Sequence, residues 1–163
     1  VRMRVLIVAV GRMKAGPERE LVARYLDRAT ASGKPLGLAD FSVIEPGESR
    51  ASSADARKAE EARAIRTAIP EKSVVIALDE RGKSIASADF ATRIADWRDM
   101  GKPALVLVIG GADGLAADLR DAADLVISFS AMTWPHQLVR IMAAEQLYRT
   151  TTILSGHPYH RGD

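Results

Sequence analysis

Apolar positions along the chain fall into short unbroken runs, separated by longer segments in which apolar residues recur every three or four positions. Met3 to Val10 is one such run, rich in β-branched residues and stopped by Gly11, and it predicts a buried strand. Leu38 to Ile44, Ser73 to Leu78, Pro103 to Ile109 and Leu125 to Phe129 predict four more. Between them, Pro17 to about Thr30 turns Leu21, Val22, Tyr25, Leu26 and Ala29 onto one helical face. Ala54 to Ile69 reads as a helix ended by Pro70, and a polar loop, DERGKS, is expected from Asp79 to Ser84. Phe90, Ile94 and Trp97 then repeat at i, i+4 and i+7 before Gly101, and a short helix follows Gly114. The last helix starts behind Pro135 and runs to about Thr150. It is apolar around most of its circumference through Leu138, Val139, Ile141, Met142, Ala143, Ala144 and Leu147, which suits a place deep in the core or against another subunit. Strands alternating with helices predict an α/β fold, a mostly parallel sheet with helices on both faces. No repeat or linker marks a boundary, so residues 1–163 are expected to form one domain.

Composition narrows the chemistry. With 47% hydrophobic and 27% charged residues the chain can bury a core and is not of disordered type. It has no cysteine, which removes disulfides, thiolate metal sites and cysteine nucleophiles, and fits a reducing cytoplasm. The longest apolar runs are too short to span a membrane, and the first lacks the cleavage pattern of a secretory signal. The net charge of +2 says little, but its layout is uneven. Seven Lys/Arg face three Asp/Glu from Val1 to Thr30, whereas one Arg faces four Asp from Ala104 to Ala131. Contact with a polyanion is therefore expected through the N-terminal region, where Arg12, Lys14, Arg19, Arg24 and Arg28 are left for loop and helix surface. A merely solvated face is the alternative.

Two strand-to-helix loops attract attention, because ligands of open α/β folds collect at the carboxyl ends of strands. One is IGGADG, Ile109 to Gly114; the other lies within SFSAMTWPHQLVR, Ser128 to Arg140. The first lacks G-x-G-x-x-G spacing, and no phosphate-binding G-x-x-x-x-G-K-[ST] occurs in the chain. From Pro103 to Leu119 there is no Lys or Arg, while Asp113 and Asp118 are present. A pyrophosphate would depend on backbone N–H groups beside repelling carboxylates. A neutral or cationic ligand fits better, and S-adenosylmethionine, with its sulfonium and no phosphate, meets that condition. The plainer alternative is that Gly110, Gly111 and Gly114 only make a tight turn.

Taken in order, MRVLIVAVG, ALDERGK, LVLVIGGADGL, SFSAMTWPHQLVRIMAAEQLYR and the closing HPYHR resemble the SPOUT methyltransferases over almost the whole chain. Within them the resemblance is to the ribosomal RNA large-subunit methyltransferase H family, which methylates N3 of a pseudouridine in 23S ribosomal RNA. The departures are Ala112 and Asp113 where that family usually has Pro-Glu, and Met132 and Trp134 where Leu is usual. The resemblance implies a trefoil-knotted C-terminal region and a homodimer. It also implies an S-adenosylmethionine site made by three loops, here Leu78, Gly110, and Phe129, Ser130, Ala131, Met132, Thr133 and Trp134.

Methyl transfer to such a nitrogen needs no metal; the protein must align the nucleophile and manage one proton. The resemblance points to the tail for this, with Tyr159 offering a hydroxyl, His160 an imidazole and Arg161 a fixed cation, and with Arg140 as a further catalytic candidate. His136, Glu145 and His157 stand behind them, and Arg140 with Glu145 could instead be a dimer-contact pair. The expected partner is 23S rRNA within the ribosome, with no membrane and no metal. Three other readings remain: a ribosome-associated protein of this fold without turnover, a SPOUT enzyme acting on another RNA base, and a flavodoxin-like small-molecule module.

Overall fold

The computed structural model describes residues 2–161. Five strands alternate with five helices: β1 (Met3–Ala9), α1 (Pro17–Gly33), β2 (Leu38–Ile44), α2 (Ala54–Ala68), β3 (Val74–Lys83), α3 (Ser87–Asp99), β4 (Ala104–Ile109), α4 (Ala117–Asp121), β5 (Leu125–Ile127) and α5 (His136–Ser155). The strands form one sheet in the order β2-β1-β4-β3-β5, and every pairing is parallel.

Period-2 alternation assigns each strand residue to a face. Met3, Val5, Ile7, Leu105, Leu107 and Ile76 point to the side covered by Leu26 of α1, Ile94 of α3 and Leu147 of α5. Leu6, Val8, Val106 and Val108 point to the other side, against Ala62 and Ile65 of α2 and Leu119 of α4. Both faces are thus dry, as near-continuous apolar strands demand. α1 and α5 lie against each other across the first layer, where the Ser32 and Thr151 hydroxyls meet at 2.5 Å.

Two expectations need correction. The segment expected as a polar loop after Leu78 continues as strand. Lys83 pairs with Ile127, and its carbonyl accepts from the Ser128 N–H at 2.9 Å. A register shift between Leu78 and Lys83 makes room for the intervening polar residues, and Gly82 lies so close to β5 that a Cβ there would sit 2.4 Å from the Ile127 carbonyl carbon. Polar composition hid this stretch because its side chains are mostly exposed while its backbone is still paired. The last helix also runs one turn further than expected. Thr150, Thr151 and Thr152 are buried, and their hydroxyls donate back to the carbonyls of Gln146, Tyr148 and Arg149.

Candidate active site

Ile109 of β4, Leu78 of β3 and Ile127 of β5 lie side by side in the sheet, and the segments that follow them line a cavity of about 480 Å³. Leu78, Gly110, Phe129, Ser130, Met132, Thr133 and Trp134 all line it. Of the expected cofactor residues, Ala131 alone is outside the lining. The volume falls in the range of small-molecule sites, and the wall combines apolar side chains with glycine backbone.

Local sequence explains both loops. Gly114 donates its N–H to the Gly111 carbonyl at 3.0 Å, and this tight turn presses Gly110 against the Gly114 backbone, where a Cβ would come within 2.8 Å. In the second loop, serine hydroxyls do the folding. Ser128 Oγ donates to the Ser130 carbonyl at 2.9 Å, and the Met132 N–H donates to Ser130 Oγ at 2.9 Å. From Ala131 to Pro135 the turn is exposed, with Met132 at 71% and Trp134 at 40% of full accessibility. Within one chain this part of the loop therefore stands open to solvent.

The acidic character read from the first loop is largely offset by arginines distant in sequence. Arg57 of α2 grips Asp113 through Nε to Oδ2 at 2.7 Å and through its second nitrogen to Oδ1 at 3.2 Å. That hydrogen bonding, helped by the guanidinium charge, holds the Asp113 carboxyl below the usual carboxylate range despite the desolvation that opposes it. Arg66 does the same for Asp118, and Arg120 lies 3.5 Å from Asp79 on the cavity wall. Spacing within one segment could not reveal these partners. Lys58, Glu80 and Arg81 also line the cavity and were missed, because nothing in their local pattern sets them apart from surface charges.

The catalytic candidates divide. Arg140 is 3% exposed and absent from the cavity wall. Its guanidinium donates to Glu45 Oε2 at 2.5 Å, to the Val10 carbonyl at 2.9 Å and to the Gly11 carbonyl. It therefore clamps the end of β1 to the β2–α2 connection, and it does not pair with Glu145. His136, one turn earlier on α5, does line the cavity.

Tyr159 and His160 lie elsewhere. Tyr159 donates its hydroxyl to Glu145 Oε2 at 2.7 Å, stacks edge-on against Tyr148 at 4.8 Å and lies under the Arg149 guanidinium at 4.8 Å. Burial, together with the Glu145 carboxylate it bonds, raises the phenol well above its ordinary value, so it stays protonated. His160 Nδ1 faces an Arg149 nitrogen at 3.0 Å, while Arg161 and His157 are exposed. Glu145 and Arg149 are six and ten residues beyond Val139, the last α5 residue on the cavity wall, about 9 to 15 Å along the helix axis. Within one chain, then, the tail and the cavity are apart. Among the described residues no cluster of metal-ligand side chains occurs, and no helix is long and apolar enough to cross a membrane.

Comparison with known proteins adds to this geometry. The family model described as predicted SPOUT methyltransferase matches residues 3–160. A protein of Allorhizobium ampelinum named ribosomal RNA large subunit methyltransferase H is 60% identical over 98% of this chain and 99% of its own length. Proteins of the same name from Rhodopseudomonas palustris and Methylobacterium radiotolerans are 55% identical over 98% and 54% identical over 99% of this chain, each over 99% of its own length. Among solved structures, a probable methyltransferase from Bordetella pertussis Tohama I aligns over 91% of this chain and 95% of its own at 15% identity, with a TM-score of 0.50. A probable methylase family protein from Haemophilus influenzae Rd KW20 aligns over 98% and 70% at 12% identity, with a TM-score of 0.51. These two likenesses concern the fold alone.

Proposed function

This chain belongs to the SPOUT methyltransferase family, and from that premise we propose that it transfers a methyl group from S-adenosylmethionine to N3 of a pseudouridine in 23S ribosomal RNA, in the cytoplasm and on assembled ribosomes. The observation that carries the reading is the gathering of Leu78, Gly110 and the Phe129 to Trp134 loop around one cavity beside three adjacent strands. The residues fit the cofactor. Apolar walls suit an adenine, and glycine backbone can approach its edge.

When bound, S-adenosylmethionine supplies a methyl carbon already activated by its sulfonium. The chain's own task is to hold the acceptor nitrogen in line, exclude water and take charge of the N3 proton. The tail is proposed for that last task, with Tyr159 as a protonated donor, His160 as an acceptor and Arg161 as a fixed cation. Because a chain's own tail docks on α5 about 9 Å or more beyond the last cavity-lining residue, Val139, the proposal includes a homodimer in which each tail serves the partner's site. The exposed apolar side chains of Met132, Trp134 and Leu138 beside the cavity support a covering subunit. The knotted C-terminal region that the sequence resemblance implies is part of the same proposal.

Mass mapping of modified nucleosides in large-subunit RNA, with and without this protein, tests the reading; an unchanged pseudouridine would overturn it. Calorimetry with S-adenosylmethionine separates an enzyme from an assembly factor, which has no need of the cofactor.

A further inference from the structure

Arg140 and His136 stand four residues apart on α5 and therefore on one helix face. Arg140 Nε lies 3.2 Å, and a terminal guanidinium nitrogen 3.1 Å, from Nε2 of His136. Arginine has donors only and does not deprotonate in proteins, so the imidazole nitrogen it approaches must carry a lone pair. Nε2 is thus an acceptor, and the ring proton resides on Nδ1. Arg140 cannot swing away to relax this demand, because it is held by Glu45 and by the Val10 and Gly11 carbonyls, and it is 3% exposed.

We infer that Arg140 is a positioning residue that locks His136 as a neutral imidazole with its proton on Nδ1, and that this Nδ1–H is a donor to a carbonyl oxygen of the methyl-acceptor base. The inference rests on the proposed function for its substrate and on geometry alone for its tautomer. As the acceptor ring loses its N–H proton, negative charge spreads to the flanking carbonyl oxygens, and a fixed neutral donor stabilises that charge without first giving up a proton of its own. A histidine so held is not the base. The charged groups around it are consistent: burial and then the Arg140 charge push the imidazole below its ordinary value, against the weaker opposing pull of the Val10 carbonyl and Glu48. Glu45 is spent on Arg140, while Lys58, Asp79, Glu80, Arg81 and Asp113 share the cavity wall. His136 alone of the three histidines joins this wall to the buried guanidinium.

The test has two arms. Nitrogen-15 NMR of histidine-labelled full-length protein, with the His136 resonance assigned by loss in His136→Asn, reads the tautomer without cofactor or RNA. Nδ1 protonated and Nε2 bare at pH 7 to 8 is expected in the wild type, with titration only below the ordinary 6.5 and a higher titration point in Arg140→Lys. A proton on Nε2, or titration of the wild-type ring at or above pH 6.5, overturns the lock. The second arm is turnover on ribosomes. Asparagine places its amide N–H near the Nδ1 position and glutamine near Nε2. His136→Asn is therefore expected to lose about tenfold or less in kcat, whereas His136→Gln and His136→Leu lose about 100-fold, with the KM for S-adenosylmethionine little changed in all three. Equal losses in the asparagine and leucine variants overturn the donor role while leaving the tautomer standing. A wild-type protein with no turnover on any ribosomal substrate overturns the proposed function and the donor role with it, and the NMR result is unaffected.

Discussion

The Tyr159 hydroxyl donates to Glu145 Oε2 at 2.7 Å, so the tail of the chain is docked on the middle of α5 and not in the cavity at that helix's start. The docking consists of one charge-assisted hydrogen bond, an edge-on contact with Tyr148 and the Arg149 cation over the ring, and none of these supports the core. Truncation before Tyr159 is therefore expected to abolish methylation while the melting temperature moves by only a few degrees. Full turnover by the truncated protein would remove the tail from the mechanism. Mixing truncated chains with a second, cavity-defective variant should restore activity if tails serve partner sites.

Arg57 reaches Asp113 from a helix 56 positions earlier, and the bidentate grip fixes the glycine turn relative to α2. Asp113→Asn keeps the shape but gives up the charge pairing. The expected result is a several-fold rise in the KM for S-adenosylmethionine with kcat nearly kept, since the turn shapes the binding cavity and does not touch the reacting carbon. A matching rise in Arg57→Ala, not compounded in the double variant, would assign both effects to this one contact.

The strand and helix pattern was legible because each β residue commits to one of two dry faces, as Leu105 and Val106 do on opposite sides of β4. The loops of the cavity were legible too, since a glycine turn and a Pro-started helix both follow apolar runs. Pairings across the chain were not. Arg140 carried the look of a functional cation on an apolar helix, and only the folded chain brings Glu45 and two carbonyls of the β1 end to it. The balance of charge around IGGADG was equally hidden, because Arg57 and Arg66, which pair with Asp113 and Asp118, lie outside the segment whose composition looked acidic.

Glu45 supplies a pH dependence with a definite sign. Burial opposes its ionised form, but the Met13 N–H at 2.8 Å and the Arg140 guanidinium outweigh that and hold the carboxyl below its ordinary 4.5. The folded state binds the proton less readily than the unfolded one, so this stabilisation is present above about pH 4.5 and fades as pH falls through the lowered folded value. Glu45→Gln should cost about 1–3 kcal/mol at pH 7, as expected for a charged hydrogen bond to a buried cation. Thermal melts of variant and wild type should converge toward pH 3; a constant gap would exclude the ionised carboxylate as the cause.

Arg12, Lys14, Arg19 and Arg24 are all exposed on the β1–α1 connection and α1, where a polyanion could meet them. Joint reversal, Arg12→Glu with Arg19→Glu, is expected to weaken binding to ribosomes and to lower the slope of log K against log salt by about two, one for each lost phosphate contact. Calorimetric affinity for S-adenosylmethionine should not change. A preserved salt slope would move the RNA to another face.

Gly110 stands where β4 hands over to the turn, and its lack of a side chain is what lets the turn close. A Cβ would approach the Gly114 carbonyl carbon to 2.8 Å, its oxygen to 2.9 Å and Leu115 Cδ2 to 3.0 Å. Two of these neighbours are backbone atoms of a turn already tied by the Gly114 to Gly111 hydrogen bond, so they cannot rotate aside as a side-chain tip would. Gly110→Ala must therefore push the turn away from the end of β4, and the cavity wall moves with it. Overpacking of this kind costs about 1–3 kcal/mol, roughly 2–10 °C in melting temperature for a domain of this size. Loss of S-adenosylmethionine affinity should exceed tenfold by calorimetry, because the displaced backbone is part of the cavity wall proposed to hold the cofactor. Gly47→Ala is the control, since a Cβ there meets nothing within 4 Å and the variant should bind and melt as the wild type does. If Gly110→Ala also binds normally, the glycine serves the turn and not the cofactor.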